Sequence, residues 1–128
     1  MYLDYAGVRV TRLAPAVKFF TTGLGLVELR RGTMPHGGVW VLLEDPISHQ
    51  RLELNWYPKG SKYDVPFVVG EGLDHLGVRV HNVAAAGRRL RKAGARRVHA
   101  FADRGRVLVE YWEGPDRIWI ELILDPVV

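Results

Sequence analysis

The chain contains no cysteine. Disulfides, cysteine-bearing zinc fingers and a thiol nucleophile are therefore excluded, leaving histidines, carboxylates and tyrosines as the ligands or catalysts available. No apolar run approaches the roughly 20 residues that a membrane-spanning helix requires. The opening Met1-Tyr2-Leu3-Asp4 has neither the basic start nor the apolar stretch of a secretion signal. A cytoplasmic protein without a membrane partner is the expectation. The basic run from Arg88 to Arg97 holds Arg88, Arg89, Arg91, Lys92, Arg96 and Arg97 but no aromatic residue on which a base would stack. It reads as the solvated face of a helix, and no nucleic-acid partner is expected.

What remains is an ordinary globular composition, 48% hydrophobic and 25% charged over 128 residues, with a formal net charge of +4. That length suits one compact domain or two half-size modules. An internal repeat favours the second arrangement. Leu3-Asp4-Tyr5-Ala6-Gly7-Val8-Arg9-Val10 matches Leu73-Asp74-His75-Leu76-Gly77-Val78-Arg79-Val80 at six of eight positions.

The same order of elements follows each copy. Leu13, Val17, Phe20 and Leu24 recur at helical spacing, with Pro15 suited to a first turn. Val83, Ala86, Leu90 and Ala93 do likewise behind Asn82, a good N-cap. Gly25 and Gly94 end the two helices, and strands over 26–30 and 96–100 come next. A hairpin then closes each half: 39–43 turns at Asp45-Pro46 and returns over 51–56, and 107–112 turns at Gly114-Pro115-Asp116 and returns over 118–123. The prediction is an α+β fold of two tandem βαβββ modules. They span 1–57 and 73–128, with residues 58–72 as the connection. Halves of this size bury little core alone, so two related sheets packed around a central cleft are expected, within a chain or across a dimer.

In a strand, residues two apart share a face. Tyr5, Gly7 and Arg9 therefore point one way, and His75, Gly77 and Arg79 do so in the copy. Glu53 and Glu121 stand mid-strand between apolar neighbours, so if those neighbours face the core the carboxylates face a cleft or solvent. Taken singly, His75 reads as a hydrogen-bonded structural histidine and Glu53 as an exposed carboxylate. His36, His49, His81 and His99 read as surface residues. Most of the tryptophans, Trp40, Trp56, Trp112 and Trp119, read as core, although with Tyr5 they also suit an aromatic pocket.

The pattern Leu-Asp-His-x-Gly-x-Arg-Val, a helix, and a later Gly-Pro-Asp-x-x-x-Ile-Glu-Leu resembles the vicinal-oxygen-chelate superfamily over essentially the whole chain. That superfamily includes glyoxalase I, acyl-CoA epimerases, extradiol dioxygenases and bleomycin-binding proteins. The resemblance implies paired βαβββ units forming an open, barrel-like sheet around a cleft, and metal ligands on the first and last strands of each unit. Carried over, those positions are Tyr5, Glu53, His75 and Glu121, where most glyoxalase-like members have histidine in place of Tyr5. His75, Glu53 and Glu121 form a His/carboxylate set suited to Zn, Ni, Mn, Co or Fe. Tyr5 then acts as a phenolate ligand or lines the substrate pocket.

The implied activity is that of a glyoxalase I-like lyase or isomerase, moving a proton next to a carbonyl of a small-molecule substrate through a metal-stabilised enediolate. Glu121 is the expected base and Glu53 the other candidate. Arg9 falls where glyoxalase I holds a substrate carboxylate, and Asn55 is a further substrate contact, nearer its glutamate than the asparagine of the family. The resemblance also implies a homodimer. The alternatives are epimerase or dioxygenase chemistry on the same scaffold, and a metal-independent binding protein of the bleomycin-resistance type.

Overall fold

The computed structural model describes residues 4–62, 64–69, 73 and 75–125. Leu3, Asp74 and Pro126, and Gly72 at the end of the expected connection, lie outside them. The chain divides into two compact units, Met1–Val68 and Val69–Val128.

In the first unit, strand β1 (Ala6–Arg9) leads to helix α1 (Leu13–Lys18), then to β2 (Val27–Thr33), β3 (Val39–Glu44) and β4 (Arg51–Trp56). These strands form a mixed sheet in the order β1-β4-β3-β2, with β1 and β4 parallel and the other pairs antiparallel. The second unit repeats the plan. Strand β5 (His75–Val80), helix α2 (Val83–Lys92), β6 (Arg96–Asp103), β7 (Arg106–Glu113) and β8 (Trp119–Leu124) give the order β5-β8-β7-β6. The βαβββ plan expected from the repeat is thus present twice, as two open four-stranded sheets.

Alternation in the last strand of each unit fixes which face is buried. Leu52 and Leu54 on β4, and Ile120 and Leu122 on β8, enter the core, and the glutamate between each pair takes the opposite face, half-buried. Under α1 the core comprises Val8, Val10, Ala16, Phe19, Phe20, Val41 and Leu43. Under α2 it comprises Val83, Leu90, Trp112 and, unusually, the carboxylate of Glu110.

Three local features differ from the reading of the sequence. The first helix does not run as α-helix to Gly25. It becomes π-helical over Phe19–Gly23, where the Thr21 hydroxyl donates to the Val17 carbonyl at 2.7 Å and competes with the backbone ladder. Strand β2 runs on to Thr33 across an irregularity between Glu28 and Arg30. Strand β6 runs on to Asp103, because Arg104 and Gly105 both take positive φ (49° and 77°), the geometry of a tight two-residue hairpin turn. The second helix ends as expected. The Asn82 side chain accepts from Ala85 N, and Gly94 at φ 99° lets the Gly94 and Ala95 amides reach Arg91 and Leu90 carbonyls.

Candidate functional site

Parallel pairing of the first and last strands sets the two glutamates at matching places. Gly7 lies beside Glu53 in the first unit, and Gly77 beside Glu121 in the second. In both units the glutamate also has an antiparallel neighbour from the preceding strand on the same face. For Glu121 this is Tyr111, and for Glu53 it is Leu42.

That difference decides how each carboxylate is held. The Tyr111 hydroxyl donates to Glu121 Oε1 at 2.9 Å, and His75 Nε2 stands 3.4 Å from Glu121 Oε2. His75 is reached because it opens β5 two residues before Gly77, on the same face and one step diagonal to Glu121. Its side chain is 41% exposed and that of Glu121 19%, so the pair is open on the histidine side. No hydrogen bond or ion pair reaches the Glu53 carboxylate from any described residue, and buried Leu42 lies across from it. Tyr5 immediately precedes β1 and is 42% exposed, and nothing among the described residues joins it to Glu53.

The other candidates, Arg9 and Asn55, each have a partner within the first unit. Arg9 is drawn into the segment that follows β4: its guanidinium donates to the Val65 carbonyl at 2.7 Å and pairs with Asp64 at 3.4 Å, and it lies over the Tyr57 and Phe67 rings. Asn55 is half-buried and its amide donates to the Glu53 carbonyl at 3.4 Å. The tryptophans divide by role. Trp112 is core, Trp56 donates to the Thr11 carbonyl, Trp40 lies against Gly32 with Arg30 over its ring, and Trp119 stands beside Tyr111 at 6.0 Å between ring centres. His49, His81 and His99 are exposed, while His36 is half-buried and accepts from Gly38 N. The basic run is exposed along α2 and into β6, where Arg97 pairs with Glu110 and Arg96 with Glu113.

Among the described residues no three histidines, cysteines or carboxylates come close enough together to hold one metal ion. Among these residues two His–carboxylate pairs stand close, His49–Glu44 at 3.2 Å and His75–Glu121 at 3.4 Å, and the second is the one at the positions that the repeat singles out. Two ligands of a tetrahedral ion with bonds of about 2.1 Å stand about 3.4 Å apart, so the spacing of this pair fits two ligands of one ion. A cavity of about 610 Å³ lies in the first unit, lined by Leu13, Val17, Lys18, Thr21, Arg31 and Trp56 among others. It flanks α1 and contains Trp56 of the aromatic candidates but none of Tyr5, Arg9, Glu53, Asn55, His75 or Glu121, so geometry and chemistry favour the strand faces over this cavity.

Tyr111 is the site residue that sequence reasoning missed. The signal was present in the hairpin. Counting outward from the Gly114-Pro115-Asp116 turn brings Tyr111 opposite Glu121, but only once the turn is known to extend to Ile118, where Gly114 N–H bonds the Ile118 carbonyl.

The fold, two tandem βαβββ units with glutamates on their last strands, is that of glyoxalase-like proteins. The sequence profile of the Glyoxalase/Bleomycin resistance protein/Dioxygenase superfamily matches residues 2–122, and the chain belongs to that superfamily. Among curated proteins none is similar enough in sequence to count as a relative. Similar solved structures include glyoxalase I from Zea mays, at 21% identity and a TM-score of 0.74 over 94% of this chain. This chain spans only 43% of that maize protein. Trypanothione-dependent glyoxalase I from Leishmania major is 24% identical, with a TM-score of 0.74 over 97% of this chain and 86% of its own. An antibiotic binding protein from Streptomyces sp. CB03234 is 21% identical, with a TM-score of 0.69 over 97% of this chain and 95% of its own. At these identities the likeness is one of fold. No helix among the described residues is long and apolar enough to cross a membrane.

Proposed function

We propose that the protein is a metal-dependent, glyoxalase I-like lyase or isomerase that moves a proton next to a carbonyl of a small-molecule substrate. The observation that carries this reading is the His75–Glu121 pair, spaced at 3.4 Å as two ligands of one ion would be, with Glu121 further held by Tyr111. The proposed donor set is His75, Glu121 and Glu53, with Tyr5 a pocket residue or fourth ligand, and the working form is a cytoplasmic homodimer. When bound, a divalent ion (Zn, Ni, Mn, Co or Fe) supplies Lewis-acid stabilisation of the oxygen that gains negative charge.

The side chains supply the rest. Glu121 takes the proton from the carbon next to the carbonyl and returns it to the neighbouring carbon, a transfer worth roughly 10²–10⁴ in rate when a positioned carboxylate performs it. Tyr111 fixes the carboxylate plane through Oε1, which leaves Oε2 turned toward His75. Glu53, with no such hydroxyl partner among the described residues, is the second candidate for proton transfer.

The test is metal analysis of untreated protein, followed by assay of the glutathione hemithioacetal of methylglyoxal with Ni, Zn, Co and Mn. The expected result is retained or added metal that is lost in His75→Ala, with turnover abolished in Glu121→Gln. Protein that takes up none of these ions overturns the proposal. Metal uptake without turnover removes the assigned substrate and keeps the site.

A further inference from the structure

Among the described residues, the face of the second unit that bears Glu121 carries a group of rings with no counterpart at the matching places of the first. Tyr111 is at its centre, with ring-centre distances of 6.0 Å to Trp119, 6.1 Å to Phe101 and 6.4 Å to His75. His99 adds a fifth ring, 6.4 Å from Trp119. Most of these contacts are edge-on, the arrangement in which the positive ring edge meets the negative face. All of the rings lie on the sheet face that bears Glu121, because Tyr111 pairs with Glu121 on one side and with His99 on the other.

Strand register gives an internal control. At the places of Tyr111, His99 and Trp119, the first unit has Leu42, Arg30 and Arg51. At the place of Phe101 it has Gly32, and Trp40 lies so closely over that glycine that an added Cβ would stand 2.5 Å from the indole ring. The first unit's single indole on this face is therefore spent on its own strands. In the second unit Phe101 remains 58% exposed, His99 is exposed, and Tyr111 and Trp119 are half-buried. Exposing large rings to water is unfavourable unless something covers them. What they surround is a carboxylate and an imidazole, so the occupant that fits is a small molecule with a flat apolar part and a polar group reaching that pair.

We infer that Tyr111, Trp119 and Phe101 form a stacking platform that selects substrates bearing an aromatic substituent beside the group that meets Glu121. This rests on the proposed proton-transfer site and names its substrate class. Glu121 and His75 meet the oxygen-bearing carbons, while the ring of the substrate lies on the platform. The preference comes from ring contacts, each worth severalfold in affinity beyond the apolar area covered, so together they give roughly tenfold or more.

The two probes are 2-hydroxyacetophenone and hydroxyacetone, which share a hydroxyketone and differ as phenyl against methyl. Their binding to the metal-replete protein is measured by calorimetric titration, and exchange of the carbon-bound proton with deuterated solvent is followed by NMR. The expected result is at least roughly tenfold tighter binding of the phenyl compound, with that preference lost in Trp119→Leu and in Phe101→Leu. Phe101 is exposed enough for its replacement to leave the fold intact, and circular dichroism checks this. Equal binding of the two probes, or a preference unchanged in both variants, overturns the inference. A phenyl preference without proton exchange sinks the proton-transfer reading instead and leaves the platform standing.

Discussion

Tyr111 donates its hydroxyl hydrogen to Glu121 at 2.9 Å, and the residue in the same place opposite Glu53 is Leu42. Duplicated units have thus diverged at the neighbour that orients the carboxylate, so the two glutamates are not equivalent in freedom. Partners that orient a metal ligand typically contribute 10–100-fold in metal affinity. Tyr111→Phe is therefore expected to weaken Zn or Ni binding by that factor, measured by competition with a chelator. Stability should fall by only about 1 kcal/mol, because a single hydrogen bond is lost at a half-buried position. Unchanged metal affinity would mean that the tyrosine does not act on the metal through Glu121.

Gly87 offers a sharper test of packing. In an exposed helix interior, Gly→Ala gains about 1 kcal/mol. Here a Cβ on Gly87 would stand 2.7 Å from Glu110 Oε2 and 2.8 Å from Trp112 Cζ2. Gly87→Ala should reverse the usual sign and destabilise by roughly 1–3 kcal/mol in urea denaturation.

The buried Glu110 carboxylate is the reason for that crowding. Its Oε2 accepts the Trp112 indole N–H at 2.8 Å and its Oε1 meets Arg97 at 3.3 Å. Glu110→Ala leaves the indole donor beneath α2 without its acceptor, at a cost of about 1–3 kcal/mol. Glu110→Gln keeps an oxygen for the indole and should lose markedly less. Equal losses in the two variants would show that the indole bond is immaterial.

Glu44 sets an acid limit on the first unit. Hydrogen bonds from Arg51 and His49 hold its carboxyl below the ordinary 4.5. A carboxyl depressed in the folded state adds stability that is present above the unfolded value and is lost as pH falls through the folded one. Thermal melts should therefore show a drop below about pH 4.5 that is shallower in Glu44→Gln. The same slope in both proteins would remove Glu44 from the acid response.

The sequence carried the modular plan because its signals are local. Glycine and proline at turns, alternation around Glu53 and Glu121, and the repeat across Tyr5 and His75 all act within a few residues. They were enough to place two βαβββ units and to set both glutamates opposite the core face. The strand ends were less legible, since the tight turn at Arg104-Gly105 depends on an arginine at positive φ, which no local preference announces.

The amino-acid sequence by itself determined the two βαβββ units and the strands that carry Glu53, His75 and Glu121. Tertiary structure decided which of them meet. Arg9 is engaged by Asp64 and Val65, more than 50 residues away, which no local pattern announces. Glu121 is held by Tyr111 because β7 and β8 pair in one register, and the same register logic delivers only Leu42 to Glu53. Pairing register and helix packing join residues distant in the chain, and a one-residue slip would send each side chain to the other face. For that reason the asymmetry of this site, foreshadowed by Tyr5 against His75, took its physical form only in the folded sheets.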